Sequence, residues 1–194
     1  MFDRPRLLLL TPDYPPAKGG IHTLSARLAA NIQQFQVKVV SGTARSAGPS
    51  EGVWSLPGWL TRLRPAVRNA FLNSFGMALG VRWRPDVVLS MHIVVAPAAM
   101  TMRRISGARY VQYVHAKELS VHPSLTRYAL ARADVVVAVS DFSRDLARRY
   151  GAREDRLRVI CNGVDICPLG PTTKESCPTM ITVARLEDVH KGHD

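Results

Sequence analysis

The sequence predicts an α/β fold, a parallel sheet flanked by helices. Three observations carry the prediction. The apolar runs are short, rich in Val, Ile and Leu, and barely alternate, which is the pattern of strands buried on both faces of a parallel sheet. Helix-length segments separate most of these runs, giving a repeated strand–helix–strand rhythm. The 194 residues, 46% hydrophobic and 21% charged, suffice for one well-buried domain with little left for a second.

The elements follow in order. A first strand is expected at 6–11, where Pro12, Pro15 and Pro16 close the run Leu7–Leu10. That run is too short for a signal peptide, and no apolar stretch approaches the ~20 residues of a membrane-spanning helix. The first helix, 20–34, presents Ile21, Leu24, Leu28 and Ile32 at helical spacing. Strands come next at 37–41 and, more weakly, at 52–56. Pro65 suits the first turn of a second helix, beyond which Val67, Phe71, Ser74, Phe75 and Ala78 fall on one side. Further strands are expected at 86–91, 109–115, 134–139 and 157–161. Between the last two, helix 140–150 has Ser140 and Asp141 to cap its start and Gly151 to stop it. Phe142, Leu146 and Tyr150 form its inward stripe, with Arg144, Arg148 and Arg149 outside.

Domain boundaries are read at 1–166 for the sheet domain and 167–178 for a linker stiffened by Pro168, Pro171 and Pro178. Residues 179–194 then begin a second unit with the strand-like run Met180–Leu186. A lone strand is a poor place for a domain to end, so the chain is expected to be a piece of a longer protein.

Charge and cysteines narrow the classes. The net charge of +11, from 26 basic against 15 acidic residues, favours an anionic partner such as nucleic acid, a phosphorylated ligand or an acidic membrane. An arginine excess also arises from coding bias, and no nucleic-acid recognition motif is present. Cys161, Cys167 and Cys177 lack metal-ligand spacing and are odd in number, so no disulfide framework and no metal site is expected. From Gly52 to Pro85 there is no Asp or Glu, yet Arg62, Arg64, Arg68, Arg82 and Arg84 are there beside Trp54, Trp59, Leu60 and Leu63. Residues 54–84 therefore read either as a segment that lies on an anionic membrane or as a helix packing its apolar side on the sheet.

Residues able to carry chemistry cluster where strands end. Gly19 and Gly20 follow the first strand and open the first helix, where glycine admits close approach and free N–H groups favour an anion. A plain tight turn uses the same residues. His92 and His115 sit at strand ends, the edge at which α/β sheets form their ligand crevice, and a neutral imidazole can orient a hydroxyl or move a proton. Lys117 and Glu118 follow His115 and read as an acceptor-side pair or as a solvated loop. Arg185 and Lys191, near the end, are two cations able to neutralise a diphosphate.

The runs Tyr110–His115, Ala133–Ser140, Leu157–Asp165 and Met180–Leu186, in this order and spacing, resemble the retaining glycosyltransferases of family 4. The resemblance implies that residues 1–166 are the Rossmann-like N-terminal half of a two-domain GT-B fold. It implies transfer of a sugar from a nucleotide-sugar donor to the hydroxyl of a sugar, polyol or lipid-linked acceptor, with retention. His115 matches the family's histidine beside the transferred sugar, although the glycine that usually follows is Ala116 here. Gly19 and Gly20 match glycines near the donor diphosphate. Arg185 and Lys191 match the cations that stabilise the leaving group, so no metal cofactor is expected. His92, Lys117 and Glu118 fall on the acceptor side. Asn162–Asp165 matches the turn into the linker, though Asn-Gly is also a generic turn. The family's glutamates lie beyond Asp194, so this stretch alone is expected to be inactive. A cytoplasmic location follows, with contact to the inner face of the plasma membrane through 54–84. The competing class is a non-catalytic basic α/β module that binds anionic membrane or a phosphorylated ligand. Another GT-B enzyme, such as a phosphorylase or epimerase, matches the linker less well.

Overall fold

Leu7, Leu8, Leu9 and Leu10 divide alternately between two apolar layers, because successive side chains of a strand point to opposite faces. That division organises the molecule. The structure, a computed structural model, describes residues 4–16, 19–43 and 52–164, with Cys177 and Met180. The strands are β1 (Arg6–Thr11), β2 (Gln36–Ser41), β3 (Val53–Ser55), β4 (Val87–Ser90), β5 (Arg109–Val114), β6 (Val135–Ala138) and β7 (Leu157–Val159). They form one parallel sheet in the order β3-β2-β1-β4-β5-β6-β7. Each of the seven strands expected before residue 162 is present, within two residues of its expected bounds.

The helices are α1 (Gly20–Asn31), α2 (Pro65–Trp83), α3 (Ala96–Ser106), α4 (Lys117–Val121), α5 (Pro123–Arg132) and α6 (Asp141–Arg149). Leu24, Leu28 and Ile32 at the end of α1 pack with Leu7, Leu9, Val39 and Tyr113 on one face of the sheet. Leu8, Leu10, Val88 and Tyr110 meet α2, α3, α5 and α6 on the other. The first helix stops at Asn31, short of the expected residue 34. Asn31 Nδ2 donates to the Arg27 carbonyl (2.8 Å), the kind of local side-chain bond that competes with helix continuation.

Two helix faces differ from expectation. Ser140 and Ser143 form a reciprocal capping box at the start of α6. This sets the helix so that Ser143 and Ala147 are buried while Phe142 is 71% exposed, which corrects the inward stripe. Leu146 and Tyr150 do pack on the core, and Gly151 ends the helix at φ +92°. In α2, Leu72, Asn73, Gly76 and Gly80 face inward, whereas Val67, Phe71, Ser74 and Ala78 face out. Of the expected stripe, Phe75 alone packs on the core.

Two contacts tie the sheet together near its ends. Arg103 of α3 makes a bidentate pair with Asp134 (2.7 and 2.8 Å), which also accepts the Tyr110 N–H, and the guanidinium holds this carboxyl below the usual aspartate range. Gly42, just past β2, lies so close to the Pro12 carbonyl that a Cβ would stand 2.6 Å from it. Any side chain there forces the loop after β1 to move.

The chain divides into two compact units, Met1–Asn162 and Gly163–Asp194. The expected strand over 180–185, together with Arg185 and Lys191, lies outside the described residues.

Candidate active site at the carboxyl edge of the sheet

In a parallel sheet every strand ends on the same edge, so the segments after β1, β4 and β5 converge. Ser90 ends β4, and its hydroxyl donates to the His92 carbonyl (3.0 Å). His92 caps the short turn that follows, its Nδ1 accepting the Val94 N–H at 3.2 Å. His115 comes directly after β5. Its Nε2 lies 3.2 Å from the Met91 carbonyl oxygen, and its ring stacks on Tyr113 with centroids 5.5 Å apart. Since a carbonyl only accepts, Nε2 is the protonated nitrogen and Nδ1 keeps a free lone pair.

Burial pushes the His115 pKa down to about 4, the nearby His92 adds to the effect, and the Met91 carbonyl opposes it. Burial lowers His92 as well, against the pull of Asp13 and with the push of His122. Both imidazoles are therefore neutral at pH 7, fit to hydrogen-bond a hydroxyl rather than to pair with an anion.

Glu118 is buried in the first turn of α4, and one of its oxygens accepts the His115 N–H at 2.6 Å. Desolvation raises its pKa, and that hydrogen bond partly offsets the rise. Between these partners sits Ala116 at φ 88°, ψ −66°, a conformation that strains a residue with a Cβ. The bond from Glu118 to the backbone of His115 clamps this turn. Ala116→Gly should relieve it and raise stability by about 1 kcal/mol, after the higher entropy of glycine in the unfolded chain is deducted. A thermal melt checks this, and a lower midpoint would show that the turn is not strained.

His92, Lys117 and Glu118, three of the sequence-predicted residues, line one cleft of ≈ 240 Å³ together with Ile21, Val121 and His122. Ile21 belongs to the first turn of α1, which brings the Gly19–Gly20 bend to the same crevice. Gly19 is the N-cap of this helix, in extended backbone, and a Cβ on Gly20 would meet nothing within 4 Å. His115 is joined to the cleft through Glu118.

Three further groups belong here. His122 lines the cleft, and Asp13 approaches His22 at 3.9 Å on the α1 side. Sequence reading gave His22 and His122 no role. The signal for His122 was its place one helical turn after Glu118. Among the described residues no group of three or more His, Cys, Asp or Glu could hold a metal ion. A larger hollow of ≈ 530 Å³, lined by Val81, Arg84, Asp86 and Gly107, opens at the opposite edge, away from His92, His115, Lys117 and Glu118.

A seven-stranded parallel sheet in this order, flanked by helices, is the fold of a known class. The profile of Glycosyltransferase Family 4 matches residues 19–166, and the chain belongs to that family. Glycogen synthase from Mycobacterium tuberculosis (strain H37Rv) is 25% identical over 232 aligned positions, covering 97% of this chain and 56% of the relative. The chain thus spans about half the length of the curated relatives it matches. Among solved structures, Anabaena Alr3699/HepE in complex with UDP and glucose superposes with a TM-score of 0.56 at 21% identity, over 82% of this chain and 45% of that one. Sucrose-phosphate synthase from Thermosynechococcus elongatus gives 0.63 at 16% identity, over 84% and 49%. These likenesses establish the GT-B-type fold.

Proposed function

We propose that the protein transfers a sugar from a nucleotide-sugar donor to an acceptor hydroxyl with retention of anomeric configuration. The observation that carries this reading is a cleft at the carboxyl edge. There His92, Lys117 and Glu118 meet the start of α1 beside a neutral His115. A non-catalytic basic module has no need of a strained turn clamped by a buried carboxylate.

The donor diphosphate sits against the Gly19–Gly20 bend, where the N-terminal N–H groups of the 12-residue α1 favour negative charge. His115 hydrogen-bonds a hydroxyl of the transferred sugar through Nδ1. His92, Lys117 and Glu118 receive the acceptor. Arg185 and Lys191 neutralise the leaving diphosphate in place of a metal, which makes the reaction independent of divalent cations. The Anabaena protein crystallised with UDP and glucose, and the glycogen synthase relative, support a nucleotide-sugar donor. Residues 1–194 alone are inactive in this reading, because the resemblance puts the donor nucleoside in a second lobe.

The test is to supply the full-length protein with a panel of nucleotide-sugars in chelator and to follow release of nucleoside diphosphate. The anomeric configuration of the product is read by proton NMR. Retention without added metal is expected. An inverted product, or phosphorolysis in place of transfer, would overturn the proposal.

A further inference from the structure

The rotation of α2 is fixed by its inner side. Asn73 donates to the Val94 carbonyl and accepts the Ala98 N–H, both at 2.9 Å. Gly76 and Gly80 let the helix close on Leu10 and Met102, and a Cβ at Gly80 would overlap the Met102 sulfur. A helix held in this way cannot roll to bury its other side. That other side is apolar: Val67 is 42% exposed and Phe71 46%, and the approach to the helix adds Trp59 at 63% and Leu63 at 37%. Arg62, Arg64 and Arg82 are exposed beside this row. No carboxylate occurs anywhere between Gly52 and Pro85.

We infer that this face of α2, with the Trp59 segment before it, docks the protein on an anionic lipid bilayer. Charge selects the occupant. A second copy of the chain would set arginine rows without acids against each other, which repel in a two-fold contact. An anionic headgroup layer offers phosphates to the arginines and an acyl boundary to the apolar row, with tryptophan at the level such interfaces favour. No helix among the described residues is long and apolar enough to cross a membrane, so α2 contributes peripheral contact. Trp59 follows the carboxyl end of β3 as His115 follows that of β5. The docking segment therefore starts on the edge that bears the cleft, four strands and about 19 Å from the strand that ends at His115.

The experiment is co-sedimentation of the full-length protein with vesicles of phosphatidylcholine, alone or mixed with phosphatidylglycerol. Three proteins are compared: wild type, Trp59→Ser/Phe71→Ser and Arg62→Gln/Arg64→Gln. Wild type should bind only the mixed vesicles and weaken in about 1 M salt, where screening acts over about 3 Å. The arginine pair should lose about 25-fold in affinity, roughly fivefold per charge, and the apolar pair at least tenfold. Circular dichroism and turnover of a soluble acceptor should stay at wild-type values in both variants. Equal binding to neutral vesicles, variants that bind like wild type, or no binding at all would overturn the inference. So would substitutions that only turn a dimer into a monomer on size exclusion.

Discussion

His115→Ala in the full-length protein should lower kcat/KM for sugar transfer by about a hundredfold or more, the scale of losing one preorganised hydrogen-bonding group at a reacting centre. The reason lies in how the ring is held. Its Nε2–H is committed to the Met91 carbonyl and its backbone N–H to Glu118, so only Nδ1 is left for substrate. Alanine keeps the backbone N–H bond to Glu118 but removes Nδ1 together with the Nε2–H bond to Met91 and the ring stacked on Tyr113, so the rate is read beside the melting temperature, which should fall by only a few degrees. A loss under threefold would mean that His115 does not touch the sugar.

Acid gives the same residue a second signature. Folded His115 titrates at about 4 against 6.5 in the unfolded chain. Between these values the unfolded chain binds a proton that the folded one refuses. Stability from this group is complete above about 6.5 and is lost as pH falls toward 4, by about 3 kcal/mol in all. His92 acts in the same direction. Glu118, raised by burial, acts oppositely, since its contribution is present in acid and is lost as pH rises through its folded value. Urea midpoints between pH 4 and 7 should fall with acidity in the wild type and more shallowly in His115→Ala. Parallel slopes would show that His115 titrates normally.

Gln112→Ala should be strongly destabilising although it changes a polar residue. Gln112 is fully buried in β5, accepts the Tyr110 hydroxyl at 2.5 Å and donates to the Tyr113 carbonyl at 2.7 Å. Truncation opens a cavity and removes the acceptor of the Tyr110 hydroxyl, leaving that buried group to Ser90 alone. Together these cost about 3–4 kcal/mol, or roughly 10 °C for a domain of this size. A melt within about 2 °C of wild type would show that the layer collapses onto the gap or that water fills it.

The strands were legible because burial on both faces leaves an unbroken apolar run, β-branched at Val135–Val137, which needs no tertiary information to recognise. Helix rotation was less so. In α2 the apolar and small residues are arranged against the usual rule. Gly76, Gly80 and Asn73 go inward because close approach to α3 rewards small volume and a paired amide, and no hydrophobic count ranks them above Val67 and Phe71. Phe142 misled for a related reason, since the serine box at the N-terminus, rather than the aromatic ring, fixes how α6 is turned. In the candidate site, the positions of His92 and His115 just past β4 and β5 were readable from the strand ends. The places of Met91, Asp13 and His122 depend on loops whose course only the assembled sheet determines. The strain at Ala116 was visible beforehand only as the absence of an expected glycine.

The position of β1 also carries a consequence for biosynthesis. This first strand lies in the middle of the sheet, and the Arg6 backbone N–H reaches an Asp86 oxygen 80 residues later in the chain. At about 10 residues per second on the ribosome, β1 waits several seconds for that neighbour. In that interval β2 can pair with one edge of Leu7–Leu10, while the edge that β4 will cover stays open to chaperones or to aggregation. Slower emergence of residues 43–90 should therefore lower the soluble yield more than the same delay placed after β5.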